Sequence, residues 1–143
     1  MSATTNTETY IALRDHLETY PNAPFTAYPM QTYEPPTGAN GLPAMYWIVQ
    51  DARLPVSSRF IGADDPDEYA GSFQVHIMSP SEMTHPQLMY QVGLVANHFP
   101  KLLDIWLTDG RLQITGTPYL AVQPYQDGIY YRAPVIVPWR LAG

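Results

Sequence analysis

Cysteine is absent from this chain of 143 residues, and charged residues are scarce. Without a thiol, the protein can form no disulfide framework and offers no thiolate for catalysis or metal binding. Only 14% of the residues are charged, and 13 Asp and Glu against 7 Lys and Arg give a net charge of −6. Because duplex DNA binding depends on cations that neutralise phosphates, this balance argues against such a function.

Long hydrophobic runs are also missing. No apolar stretch approaches the roughly 20 residues that a membrane helix needs. The first eight residues, MSATTNTE, have neither the basic nor the apolar region of a signal peptide. We therefore expect an intracellular protein that makes no membrane contact, and the chain length suits a single domain.

What the sequence does contain is apolar and aromatic material. Hydrophobic residues make up 45% of the chain, which also has 15 Pro and 11 Tyr. This composition, with so little charge, is unusual for a soluble monomer. It is easier to explain if a partner covers part of the surface, because interface cores are rich in aromatic residues and poor in charge.

The stretch Tyr69–Phe99 predicts a strand followed by a helix. In its first ten residues apolar and polar side chains alternate, as in a strand with one face in a core. Thr84 and Gln87 have the spacing of a capping box, and Pro100 places the end of the helix at or before Phe99. The apolar stripe of this helix consists of Leu88, Val92, Val95, Ala96 and Phe99.

The rest of the chain predicts one more helix and several strands. That helix starts at the capping-box spacing of Thr5 and Glu8 and ends at Pro21. The segment Pro21–Pro43 is rich in Pro and Gly yet apolar, so we interpret it as irregular chain lying on the core. The other predicted elements are a short strand around Ala27–Gln31, a buried strand at Met45–Gln50, a loop from Arg53 to Glu68, a hairpin with arms Leu102–Leu107 and Arg111–Thr115 around Asp109-Gly110, and a second hairpin with arms Tyr119–Gln123 and Ile129–Trp139 around Asp127-Gly128.

The last predicted strand, Ile129–Trp139, contains two prolines. Its odd-numbered residues are apolar and are expected to face the core. Pro134 and Pro138 have the same parity, so both missing N–H groups fall on one side, and we predict that the strand lies exposed at a sheet edge. The proline gaps would either protect that edge from aggregation or mark a subunit boundary at which side chains make the contact.

Motifs for catalysis or metal binding are not found among the four histidines or the serines. The sequence has no H-E-x-x-H motif, nucleophile elbow or nucleotide-binding glycine motif. His76, on the polar side of its strand, is interpreted as a surface or interface histidine. The acidic run Asp64–Glu68 lacks the glycine and the distal glutamate of an EF-hand, which favours a solvated loop over a calcium site. We therefore expect no enzymatic activity, no metal and no cofactor.

Several short motifs follow one another in a defined order. They are Tyr69-x-Gly71-x-x-Gln74-Val75-x-Ile77, Phe99-Pro100, Gly110-Arg-Leu-Gln-Ile, Asp127-Gly128 and Arg132-Ala-Pro134-Val-Ile-Val-Pro138-Trp139-Arg140. Their order resembles that of the tail-terminator-like family of tailed phages with long non-contractile tails. The resemblance covers nearly the whole chain, but each motif is structural and only the order is specific. The chain departs from the family in its longer acidic loop Ala63–Glu68 and its longer connection Leu102–Leu107.

The resemblance implies an α+β domain, residues 1–143, in which two main helices pack on one face of an antiparallel or mixed β-sheet. Members of this family form a hexameric ring on the finished tail tube, at the tail–neck junction of the virion. There they stop the addition of tube subunits and offer a surface to the head-side connector, or stopper, protein. The implied partners are further copies of the chain, the tail tube protein and the connector, while DNA passes through the ring without specific binding.

Contacts in such an assembly are expected on loops and on charged residues of the sheet. The loop Arg53–Glu68 and the turn Asp109-Gly110 are the candidates for axial contacts. Two alternatives stay open: another head–tail joining or tail-completion protein of the neck, and a small ligand-binding domain or enzyme that uses His76 with a pocket near Trp47. The candidate contact residues are Asp64, Asp65, Asp67, Glu68, His76, Asp109, Arg132 and Arg140.

Overall fold

The computed structural model describes residues 4–54, 57–58, 67–108 and 110–142. Within these ranges the chain forms two helices and nine strands, which is the predicted α+β class. Neither of these helices has the length and apolar composition needed to cross a membrane. The elements are α1 (Thr5–Glu18), β1 (Thr26–Ala27), β2 (Tyr46–Arg53), β3 (Ser57–Ser58), β4 (Asp67–Pro80), α2 (His85–His98), β5 (Asp104–Leu107), β6 (Gly110–Ile114), β7 (Tyr119–Leu120), β8 (Tyr125–Asp127) and β9 (Tyr130–Ala142).

The strands form one mixed sheet with the order β1-β2-β4-β9-β6-β5. β1 runs parallel to β2, and the other pairings are antiparallel. Off this path, β3 pairs with β4, and both β7 and β8 pair with β9. The two longest strands, β4 and β9, are paired from Tyr69↔Leu141 to Pro80↔Tyr130 and form the middle of the sheet.

The predicted strand–helix unit is confirmed. Phe73, Val75 and Ile77 of β4 are fully buried, so the alternation does mark a core face. In α2 the capping box is present, with the Thr84 N–H donating to Gln87 Oε1 at 2.8 Å and the Gln87 N–H donating to Thr84 Oγ1 at 3.4 Å. These two bonds satisfy backbone donors that have no partner within the helix.

The start of α1 differs from the prediction. Thr4, and not Thr5, is the N-cap, and the Glu8 N–H donates to the Thr4 carbonyl at 2.8 Å. Thr5 lies inside the helix and is 6% exposed. The helix therefore starts one residue earlier than predicted, and the predicted capping box with Thr5 as N-cap is wrong.

Two of the predicted connections are also corrected. The strand predicted around Ala27–Gln31 is only the two-residue β1, because the chain turns at Met30, where φ is 64°. The segment Arg53–Glu68, predicted as a loop, contains strand residues. Arg53 is the last residue of β2, β3 lies within the segment, and β4 begins before the segment ends. The rest of that loop, residues 55–56 and 59–66, lies outside the described residues.

Both predicted turns join strands, but only the first joins the predicted arms. β5 and β6 form the expected hairpin, with Leu107 paired to Gly110. At the second turn, Gly128 has a φ of 65° and Asp127 pairs with Tyr130, which leaves a two-residue loop. The tight turn makes β8 the hairpin partner of β9. The predicted arm, Tyr119–Gln123, instead contributes β7, which pairs with β9 further along that strand.

The prediction that the last strand lies at a sheet edge is wrong. β9 has β4 on one side and β6, β7 and β8 on the other. Its prolines fall where these three short strands are interrupted, with Pro138 between the β6 and β7 pairings and Pro134 between those of β7 and β8. The Pro138 carbonyl accepts from Thr115 N and the Pro134 carbonyl from Ala121 N, each at 3.0 Å. A strand with prolines is therefore accommodated inside the sheet because its neighbour is broken at the same points.

The core lies against the odd-numbered residues of the central strands. In β9, residues 133, 135, 137 and 139 are buried as predicted, whereas Ile129 is 67% and Tyr131 46% exposed because they belong to the turn and the hairpin beyond the core. Buried residues of both helices join the same cluster. Its largest fully buried members are Trp47, Trp139, Phe73, Phe99, Leu13, Leu17, Ile77, Leu112 and Ile114.

Candidate functional site

Three of the candidate contact residues lie on one face of the sheet. Residues that are directly opposed on neighbouring strands share a face, and His76 opposes Pro134 while Met78 opposes Arg132 and Ala70 opposes Arg140. This face is the one opposite the core side chains of β4 and β9. Asp64, Asp65 and Asp109 lie outside the described residues, and Asp67 and Glu68 are described only by their backbone pairing with β3.

Of the two positions predicted for His76, surface or interface, the surface position is wrong, because only 6% of the residue is exposed. Its Nε2 lies 2.9 Å from Gln74 Oε1, and its Nδ1 is buried without a hydrogen-bond partner among the described residues. Burial, and secondarily the positive charge of Arg132, lowers the pKa of His76 to about 4. The imidazole is therefore uncharged at neutral pH and enclosed within the chain, which leaves little access for a substrate.

His76 should make the stability of the fold depend on pH. Because its folded-state pKa of about 4 lies below the ordinary value of 6.5, the unfolded chain binds more protons between these values, and stability falls as the pH is lowered through them. Between pH 7 and pH 5 this group should remove about 2 kcal/mol from the free energy of unfolding. Urea unfolding of the wild type and of His76→Gln at both pH values measures the effect. Equal losses in the two proteins would contradict it.

One apolar surface lies between α1 and the edge strand β5. A groove of about 480 Å³, here called the edge groove, is lined by Ile11, Ile105 and Leu107, with Glu8 and Asp15 at α1. Trp106 also lines it and is 74% exposed. Large exposed aromatic side chains at the end of a sheet are typical of protein contacts.

A second groove, of about 470 Å³, lies at the other end of β9 between the proline-rich segment and the β8–β9 turn. It is here called the proline groove. Tyr33 packs on Tyr46, and Tyr46 on Tyr130, with ring centroids 5.8 and 5.2 Å apart. This groove therefore has a wall of aromatic rings. Its lining residues are Tyr33, Pro35, Pro36, Thr37, Pro43, Tyr46, Ile48, Met78, Asp127, Gly128, Ile129, Tyr130 and Arg132.

Arg132 supplies the positive charge of the proline groove. Its Nη1 donates to Asp127 Oδ2 at 3.2 Å, and the Arg132 side chain is 18% exposed. Its Nε is buried and has no hydrogen-bond partner in the described part of the chain. A buried Nε–H without an acceptor is unfavourable, and the Asp127 carboxylate on Nη1 already compensates part of the Arg132 charge within the groove.

Sequence reasoning missed both grooves. The sequence prediction treated Trp106 only as part of a hairpin arm. The alternation in Asp104-Ile105-Trp106-Leu107 was a usable signal, because it places Trp106 on the opposite face of the strand from Ile105 and Leu107. The proline groove had no sequence signal, since its walls come from three separate parts of the chain. Among the described residues, no group of three or more His, Asp or Glu is arranged to hold a metal ion.

Comparisons with known proteins address the fold and the family. A family model described as phage tail terminator protein matches residues 8–139. A solved structure with a TM-score of 0.74 and 16% sequence identity covers 99% of this chain and 98% of its own, a likeness that shows the shared fold alone. None of the curated protein sequences that were compared matches the chain.

Proposed function

Because the chain belongs to the phage tail terminator protein family, we propose that this structural virion protein forms a ring that caps the tail tube at the tail–neck junction. The ring, a homohexamer, ends polymerisation of the tube and presents a surface to the head-side connector. No cofactor, metal or chemical reaction takes part in this function. The residue whose chemistry would be required by an enzymatic alternative, His76, is only 6% exposed.

The observation that carries the proposed ring is that the sheet ends in two unlike surfaces. One bears the edge groove with Trp106, and the other bears the proline groove with its row of tyrosines. Unlike surfaces that complement each other make head-to-tail contacts, and such contacts generate a closed ring when the rotation between subunits closes. Two main helices on the core face of the sheet would leave the opposite face available for assembly.

Capping follows if the two faces of the ring differ. One face mimics the end of a tube subunit and binds the tube, while the other lacks what a further tube subunit needs and binds the connector. The loop Arg53–Glu68 and the turn at Asp109-Gly110 are the proposed axial contacts. A net charge of −6 suits a channel through which DNA slides, since the channel offers few cations to bind phosphates.

A test combines native mass spectrometry with tube assembly. The purified protein, alone or with tail tube protein, is expected to give a species of about six times the monomer mass of 16.1 kDa. Added to polymerising tube protein, it should stop growth and appear at one tube end in electron micrographs. A protein that stays monomeric in both settings and leaves tube lengths unchanged would refute the proposal. Binding to the connector without binding to tube ends would instead favour a different head–tail joining protein.

A further inference from the structure

We propose that Asn40 is a site of spontaneous deamidation, at which the backbone nitrogen of Gly41 attacks the side-chain amide of Asn40 in the folded protein. The protein is its own substrate, and the other reactant is water. This inference does not depend on the proposed ring. It rests on the Asn-Gly sequence, on the exposure of the turn that contains it and on the hydrogen bond that orients the Asn40 side chain.

The turn Gly38–Leu42 holds Asn40 and Gly41 at the tip of a short hairpin. The Gly38 N–H donates to the Leu42 carbonyl at 2.7 Å, and the Gly41 N–H donates to the Gly38 carbonyl at 2.9 Å. Gly41 has a φ of 77°, and a short loop that ends in a left-handed glycine is a common way to close a hairpin. Asn40 and Gly41 are both exposed, so water and base reach the tip.

Gly41 supplies an accessible nucleophile. Its nitrogen and the Asn40 Cγ belong to neighbouring residues, so the attack is intramolecular and closes a cyclic imide without bringing two molecules together. A side chain at position 41 would crowd that ring, but glycine has none, and nothing lies within 4 Å of an added Cβ. The hydrogen bond that the Gly41 N–H makes to Gly38 lies at an exposed turn, where local opening costs little free energy.

The backbone N–H of Leu42 activates the amide that is attacked. It donates to Oδ1 of Asn40 at 3.0 Å. As the Gly41 nitrogen bonds to Cγ, negative charge develops on Oδ1, and a donor already directed at that oxygen stabilises the charge. Nδ2, the leaving group, makes no hydrogen bond within the described part of the chain.

The reaction has two steps, and neither oxidises or reduces any group. In the first, the bond between the Gly41 nitrogen and Cγ forms, the Cγ–Nδ2 bond breaks, and ammonia leaves with the proton of the Gly41 nitrogen. In the second, water opens the imide at either of its carbonyl carbons. Attack on Cγ gives aspartate with the original backbone. Attack on the main-chain carbonyl carbon of Asn40 gives isoaspartate, in which the backbone runs through Cγ.

Isoaspartate at position 40 would alter the wall of the proline groove. It adds a carbon atom to the backbone of a loop whose arms meet at Thr37 and Pro43, and both of these residues line that groove. The longer loop should weaken the bond between Gly38 and Leu42 that closes the hairpin. Either product also places a new carboxylate at the tip.

Peptide mass spectrometry of the folded protein, incubated in mildly alkaline buffer, tests the proposal. Asn40 is expected to deamidate several-fold faster than the other asparagines of the same sample, which are Asn6 and Asn97 in the helices and Asn22 before alanine. The rate should rise with pH, because the Gly41 nitrogen must lose its proton. Fragmentation that distinguishes isoaspartate from aspartate should find both at position 40. Asn40→Gln, which lengthens the side chain and so disfavours ring closure, should abolish the reaction there.

A parallel sample in guanidinium chloride gives the rate of the unfolded chain. If the turn leaves the reaction open, the folded and unfolded proteins should convert Asn40 at comparable rates, while the helical Asn6 and Asn97 react only when unfolded. An Asn40 that converts in denaturant but stays as unreactive as Asn6 in the folded protein would overturn the proposal, because the turn would then protect the amide. Equal rates at all four asparagines of the folded protein would also overturn it.

Discussion

Replacing Gly71 by alanine should lower the free energy of unfolding by about 3 kcal/mol. Gly71 lies in β4 between Arg53 of β2 and Trp139 of β9, which are its two cross-strand neighbours. A Cβ atom at this position would lie 2.5 Å from the carbonyl oxygen of Ala52 and 3.0 Å from Cζ2 of Trp139. Neither group can move freely, because one is backbone within the sheet and the other belongs to a fully packed tryptophan that is 2% exposed.

A second glycine provides the matched control. Gly93 lies in α2, is exposed, and has nothing within 4 Å of an added Cβ. Gly93→Ala should therefore raise the free energy of unfolding by about 0.5–1 kcal/mol, since alanine favours the helix. Urea titrations of the two variants and the wild type compare the effects directly. A loss below about 1 kcal/mol in Gly71→Ala would show that the sheet relaxes around the new methyl group.

Replacing Arg53 by methionine should cost about 3 kcal/mol of stability. The guanidinium joins the sheet to α1, with Nη2 2.8 Å from Asp51 Oδ2, Nη1 2.5 Å from Thr9 Oγ1 and Nη2 3.1 Å from the Asn6 carbonyl oxygen. It also lies over the Trp139 ring, with Cζ 5.0 Å from the centroid. Methionine keeps the length of the side chain but leaves the Asp51 carboxylate, 20% exposed, without its cation.

The control for Arg53 is an ion pair on the surface. Arg14 and Asp15 are 3.1 Å apart with side-chain exposures of 36% and 58%, so Arg14→Met should change stability by no more than about 0.5 kcal/mol. Adding Asp51→Asn to Arg53→Met should recover part of the loss, because it removes the carboxylate charge left unpaired. Thermal and urea unfolding of the single and double variants measure both effects. A double variant no more stable than Arg53→Met alone would show that the lost bonds to α1 account for the effect.

The elements that were predicted well depend on neighbours in sequence. The alternation in β4, the capping box of α2 and the hairpin of β5 and β6 each arise from interactions within a few residues, and the chain forms them as expected. The apolar face of β9 was also identified, because alternation does not depend on which strands lie beside it. The order of the strands depends on pairings between distant residues, for which one sequence carries little signal.

The prolines of β9 show that the position of a strand in a sheet cannot be predicted from its own sequence. Pro134 and Pro138 do remove donors on the same side of the strand, as the sequence indicates. Their consequence depends on a neighbour that is itself broken into β6, β7 and β8, and this break is a property of the folded sheet. His76 shows the same limit, since alternation assigned it to a polar face but the residue is only 6% exposed in the folded chain.

Of the edge groove and the proline groove, only single residues could be predicted from the sequence. Arg132 was a candidate contact residue on the basis of charge and position, and the structure places it in the proline groove. The groove itself requires residues 33–43, the ends of β2 and β4, and the β8–β9 turn to meet. The position of Trp106 on an edge strand likewise depends on the strand order, in which β5 is the last strand of the described sheet.

The central position of β9 has a consequence for biosynthesis. β4 pairs with β2 and with β9, and its partner residues in β9 lie fifty or more positions further along the chain. Contacts between residues so far apart in sequence raise the contact order, which slows folding. Until residues 130–142 leave the ribosome, β6 has no strand to join it to β4, and Tyr130 and Arg132 are missing from their groove. A nascent or truncated chain without β9 thus lacks the strand that joins β6 to β4 and two lining residues of the proline groove.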